Sequence, residues 1–161
     1  MIVVADTTPL RYLVVIERAH LLPALYGRVL IPPAVAEELN HESTPDLVRT
    51  WLAGRPNWLE IRQPSRTLEP EVDLDRGEQQ AIALAEEVAA DLLLVDDWDA
   101  RLEAKRRRLR VVGTLRVLAD GAQRGLADLE ESFERLRHTN FRVNSELLES
   151  LLEEHRRGKH R

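Results

Sequence analysis

Asp6, Glu38, Glu78 and the adjacent Asp96 and Asp97 stand where a chain normally excludes charge. Asp6 ends the apolar run IVVA (2–5), and Asp96 and Asp97 end the run LLLV (92–95). Glu38 and Glu78 fall on the apolar faces of two predicted helices. Isolated buried carboxylates are costly, so a chain that converges several of them is most simply explained by a cation between them. Hard oxygen donors without histidine or cysteine select Mg²⁺ or Mn²⁺ over zinc, and that metal choice suits phosphodiester chemistry.

Helical geometry sharpens two of these positions. After Pro33, residues Ala34, Val35 and Leu39 define the apolar side, and Glu38 falls beside them whereas Glu37 points away. After Asp75, Glu78 shares a face with Ala81, Ile82 and Ala85 at the i+3, i+4 and i+7 spacings. Structural roles compete with the chemical one. Asp6 is placed to cap the helix that follows it, and Glu78 lies in a first turn where the helix dipole favours negative charge. Thr7 and Thr114 each have a hydroxyl to offer a bound water or phosphate, with helix capping as the plainer role.

The elements that must position these acids alternate between strand and helix. Short apolar runs at 2–5, 29–31, 92–95 and 111–112 read as strands buried on both faces, with a further short strand at 59–61. Helices are predicted from Pro9, over 20–26, from Pro33 to about Asn40, over 46–53, from Asp75 to about Ala89, from Asp99 and over 115–124, with two more closing the chain. This order predicts a doubly wound three-layer α/β/α fold around a short central parallel sheet, in which ligands bind beyond the carboxyl ends of the strands. The division expected is a domain over 1–140 followed by a C-terminal amphipathic helix and basic tail over 141–161. Leu147, Leu148, Leu151 and Leu152 form a stripe there that must pack on the core, a partner or a second copy.

With 161 residues, 43% apolar and 32% charged, the chain is of ordinary globular composition. No apolar run is long enough to span a membrane, and the N-terminus lacks the basic start and long apolar core of a signal peptide, so a cytoplasmic protein is expected. The absence of cysteine excludes disulfides, thiolate metal sites and cysteine nucleophiles. A net charge of −5 argues against a protein that coats nucleic acid, though not against one that grips it locally. Lys105, Arg106 and Arg107 in the densest basic run are the candidates for such a grip, against a solvated helix face. No glycine-rich phosphate loop or dinucleotide fingerprint is present. His20, His41, His138, His155 and His160 show no paired spacing and read as surface residues. Trp98 reads as the cover of an apolar edge, with base stacking as the alternative.

The segments DTTPL (6–10), IPPAVAEEL (31–39), GEQQAIALA (77–85) and LLLVDD (92–97), followed by Gly113 and Thr114, resemble the successive motifs of the PIN-domain family of metal-dependent ribonucleases. The likeness is greatest to a prokaryotic subfamily of unknown function related to VapC-type toxins, and it covers about 2–118. By resemblance, the four acids are Asp6, Glu38, Glu78 and Asp97, with Asp96 as the rival for the last. The implied activity is endoribonucleolytic, with Mg²⁺ or Mn²⁺ held by Asp6, Glu78 and the terminal acid. The implied partners are RNA, an antitoxin protein and a second copy in a homodimer. Many relatives carry aspartate at the third position, where this chain has Glu78, which keeps a catalytically weak binding module as an alternative. A receiver-like phosphate-handling domain fits less well, because its acid pair would follow the first strand.

Overall fold

The computed structural model describes residues 1–70 and 72–159. The elements follow the order β1 (Val3–Ala5), α1 (Thr7–Val15), α2 (Leu21–Tyr26), β2 (Val29–Ile31), α3 (Pro33–Leu39), α4 (Asp46–Ala53), β3 (Leu59–Ile61), α5 (Arg76–Glu87), β4 (Leu92–Leu94), α6 (Trp98–Arg106), β5 (Val111–Val112), α7 (Thr114–Gln123), α8 (Leu129–Arg137) and α9 (Ser145–Lys159). All pairings are parallel, in the order β3-β2-β1-β4-β5. The first three strands therefore grow in one direction from β1 and the last two in the other. The reversal lies between β1 and β4, where Val3, Val4 and Ala5 pair with Leu92, Leu93 and Leu94.

Because side chains alternate across a strand, three-residue strands suffice to feed two cores. Val3, Ala5, Val29, Ile31, Leu92 and Leu94 join one apolar cluster with α1–α4 and α7–α9. Val4, Leu30, Leu93 and Val95 join the other, covered by the alanine-rich faces of α5 and α6. This is the three-layer architecture expected. The leucine stripe of α9 packs on the chain's own core: Leu148, Leu151 and Leu152 are buried in the larger cluster, and α9 lies on α7 and α8. Leu147 remains on the outer side. Residues 160–161 of the expected basic tail, and with them His160, lie outside the described residues.

Two helix starts differ from the sequence reading. Helix α1 begins at Thr7, with Asp6 at the N-cap position but making no side-chain cap bond, and α7 begins at Thr114 with Gly113 at the N-cap. Neither threonine caps a helix, because each hydroxyl is committed to a carboxylate on another element. Among the described residues, no helix is long and apolar enough to cross a membrane.

Candidate metal centre at the sheet reversal

The reversal between β1 and β4 brings Asp6 beside the loop carrying Asp96 and Asp97, and the Asp6 amide donates to the Leu94 carbonyl at 2.9 Å. Asp6 is only 4% exposed. Burial pushes its carboxyl well above the usual range, the Thr7 amide opposes this, and Glu78, Asp75 and Glu38 push it further. Strand β2 delivers α3, whose Glu38 receives the Thr7 hydroxyl at 2.7 Å. Glu38 is also raised, first by burial and then by Asp75, while Thr7 and the Gly77 amide hold it down.

Glu78 enters from α5. Its position is fixed by a capping box: the Glu78 amide donates to Asp75 Oδ1 at 2.8 Å, and Glu78 Oε1 accepts from the Asp75 amide at 3.0 Å. Burial raises the Glu78 carboxyl to about 7, with the Asp75 amide opposing and the charges of Asp75, Asp97 and Glu38 adding to the rise. Glu78 is thus the terminal acid of α5, and the same carboxyl lies in the field of Asp75, Asp97 and Glu38. Asp75 is the acid that sequence reasoning missed as a site residue. It stands at the start of the predicted helix and caps it, yet its charge acts on Asp6, Glu38 and Glu78 alike. The DRGE spacing of the capping box, combined with a site role for Glu78, was the available signal.

The two late aspartates face different ways. Asp96 accepts from the Thr114 amide at 2.8 Å and from its hydroxyl at 2.6 Å. Burial raises its carboxyl, while Thr114 and Arg101 oppose the rise. Asp97 is exposed at the start of α6, accepts the Ala100 amide at 3.0 Å, and contributes to the field on Glu78. Two glycines give these carboxylates room: a Cβ on Gly77 would collide with Glu38 Oε1, and one on Gly113 would lie 2.8 Å from Asp96 Oδ1.

The donor set consists of carboxylates and hydroxyls, the chemistry of a hard divalent cation. Burial is the first cause of the rise at Asp6, Glu38 and Glu78, and the charge of Asp75 adds to it at all three. Among the described residues, no three such groups stand at ligating distance around one point, so closure on an ion requires side-chain movement.

The basic run is not brought to these acids. Arg106 pairs with Glu103, which is 3% exposed, and Arg107 pairs with Glu86 at 2.9 Å and with Glu103 at 3.7 Å. Lys105 is exposed, at the end of α6 remote from Asp97. Trp98 does not cover an apolar edge: it is 69% exposed, at the first position of α6. His20, His41 and His138 are exposed and His155 is half-buried.

A family model described as a PIN domain matches residues 2–157. Among solved structures, a PilT N-terminus domain protein from the hyperthermophilic archaeon Sulfolobus solfataricus P2 is similar to the chain, with a TM-score of 0.53 and 19% identity over 89% of this chain and 100% of that one. No curated protein matches the sequence. With a nuclease-type fold, acids gathered at its sheet reversal and a family match over nearly its whole length, the chain belongs to the PIN-domain family.

Proposed function

We propose that the protein is a metal-dependent endoribonuclease. The observation that carries this reading is the buried Asp6, surrounded by the charges of Glu78, Asp75 and Glu38 at the sheet reversal. PIN domains typically use divalent metals, and the oxygen donors here suit Mg²⁺ or Mn²⁺. Asp6, Glu78 and Asp97 are the proposed ligands. When bound, such an ion would neutralise a phosphodiester and lower the pKa of a water. Glu38 is proposed to orient that water, with its own carboxylate held by Thr7. Thr114 acts indirectly by fixing Asp96, which in turn sets the loop that presents Asp97. Because ligands must be deprotonated, the elevated Glu78 makes metal binding release protons near neutral pH.

The test is cleavage of single-stranded RNA by purified protein with Mn²⁺, with Mg²⁺ and with chelator, alongside Asp6→Asn. Metal-dependent cleavage that Asp6→Asn abolishes is expected. Equal cleavage by the variant would assign the activity elsewhere.

A further inference from the structure

Two features flank the acids on opposite sides along the carboxyl edge of the sheet, and neither is used above. The first is a cleft of about 370 Å³ on the α1 and α3 side, lined among others by Thr7, Arg11, Glu38, His41 and Arg76. Its two glutamates are already engaged: Glu37 with Arg76 at 2.7 Å and Glu38 with the Thr7 hydroxyl at 2.7 Å. Arg11 is left over. Its Nε is buried without a hydrogen-bond partner, and its guanidinium carbon lies 5.5 Å from the Tyr12 ring centroid. Among the described residues it pairs with no carboxylate, although carboxylates line the same cleft. A half-buried guanidinium with one buried, unpaired N–H can take an incoming anion, and its planar fork suits a phosphate.

The second feature is Trp98, one residue after Asp97 and on the β4 side of Asp6. An indole 69% exposed carries a large apolar face into water at the rim of the site. The remaining tryptophans behave differently. Trp51 and Trp58 pack on each other at 5.9 Å and against the core.

We propose that the carboxyl edge of the sheet binds single-stranded RNA along a path from Arg11, across Asp6, to Trp98, with Arg11 holding a backbone phosphate and Trp98 stacking on a base. A base inside a duplex is already stacked on both faces, so Trp98 selects against double strands. Arg11 and Trp98 are positioning residues. The inference rests on the nuclease reading for the fate of the strand, whereas the binding itself needs no metal and no cleavage.

The experiment uses the full chain carrying Asp6→Asn in chelator, titrated with a short single-stranded RNA and with its duplex while intrinsic fluorescence is followed. Saturable quenching by the single strand is expected, with affinity for the duplex at least about tenfold weaker, on the order of one lost stacking contact. Trp98→Phe should abolish most of the quenching and keep most of the affinity measured by anisotropy of labelled RNA. Trp98→Ala should lose about tenfold in affinity. Arg11→Ala should weaken binding and reduce the salt slope by about 0.7. Absence of binding, equal affinity for the duplex, or unaltered affinity in Trp98→Ala would each overturn the proposal. Failure of the nuclease reading looks different: no metal-dependent cleavage by the wild type, with the single-strand quenching intact.

Discussion

Asp96 holds Thr114 at two points, through the amide at 2.8 Å and the hydroxyl at 2.6 Å, and so joins the end of β4 to the start of α7. Both oxygens of Asp96 are thereby occupied by donors, whereas its neighbour Asp97 lends one oxygen to the Ala100 amide and turns outward. Asp96→Ala leaves the Thr114 amide and hydroxyl without their acceptor and should cost about 1–3 kcal/mol of stability. Asp97→Asn keeps an equally good N-cap and should leave stability unchanged while abolishing metal-dependent cleavage. Urea denaturation and RNA cleavage on both variants check the assignment. A stable but inactive Asp96→Ala beside an active Asp97→Asn would exchange their roles.

Glu78 links stability to pH. Its folded-state value of about 7 lies above the ordinary 4.5. A carboxyl raised in this way contributes stability that is fully present below the unfolded value and is lost as pH rises through the folded one. The metal-free protein should therefore lose stability between about pH 4.5 and pH 7, with Asp6 and Glu38 acting in the same direction. Glu78→Gln keeps the acceptor for the Asp75 amide but removes the charge. It should stabilise the metal-free protein at pH 8 by roughly 1 kcal/mol and change little at pH 4. Thermal melts in chelator at the two pH values measure this, and a destabilised Glu78→Gln at pH 8 would contradict it.

Metal addition should reverse the penalty. Mn²⁺ at 100 times its dissociation constant stabilises a folded state that alone binds it by about 2.7 kcal/mol. Asp6→Asn should leave the metal-free protein unchanged or more stable, and it should lose most of the gain with Mn²⁺. A wild-type melt indifferent to Mn²⁺ and Mg²⁺, together with a destabilised Asp6→Asn, would return these acids to structural roles.

The C-terminal helix should be indispensable to folding. Deleting 144–161 uncovers apolar surface on α7 and α8 that Leu148, Leu151 and Leu152 now bury, so the truncated chain should be aggregated or unfolded by circular dichroism. Leu151→Ala, at a position 1% exposed, should cost roughly 2–5 kcal/mol in urea. A folded truncation of smaller assembly size would instead show that α9 serves association.

Strands β1, β2 and β4 were legible because each carries three consecutive buried apolar residues, in VVA, VLI and LLL, a pattern that a two-sided parallel sheet requires. The even shorter β5 was legible only from its place between two helical patterns. Glu38 and Glu78 could be picked out because helical periodicity separates them from Glu37, Glu86 and Glu87. Asp75 was hidden by its own success as a cap, since a local role satisfied the sequence pattern and its approach to Asp6 is tertiary. The basic run misled in the opposite way. Glu103 lies three and four residues before Arg106 and Arg107, so their pairing was open to view, but the pairing with Glu86 depends on α5 packing beside α6. Trp98 had no such guide, because the exposure of a single aromatic is set by what the fold leaves uncovered.

The close approach of Glu38 to Gly77 has an evolutionary consequence. Where a carboxylate fills the space that a side chain would take, the two positions must change together: Gly77→Ala alone displaces Glu38, while Glu38→Asp, shorter by one methylene, vacates that space. The double variant should recover more than the sum of its single changes allows, a coupling that a thermodynamic cycle would measure. Homologues that lengthen this glycine are then expected to shorten their second acid, so two residues on different helices would drift as one inherited unit.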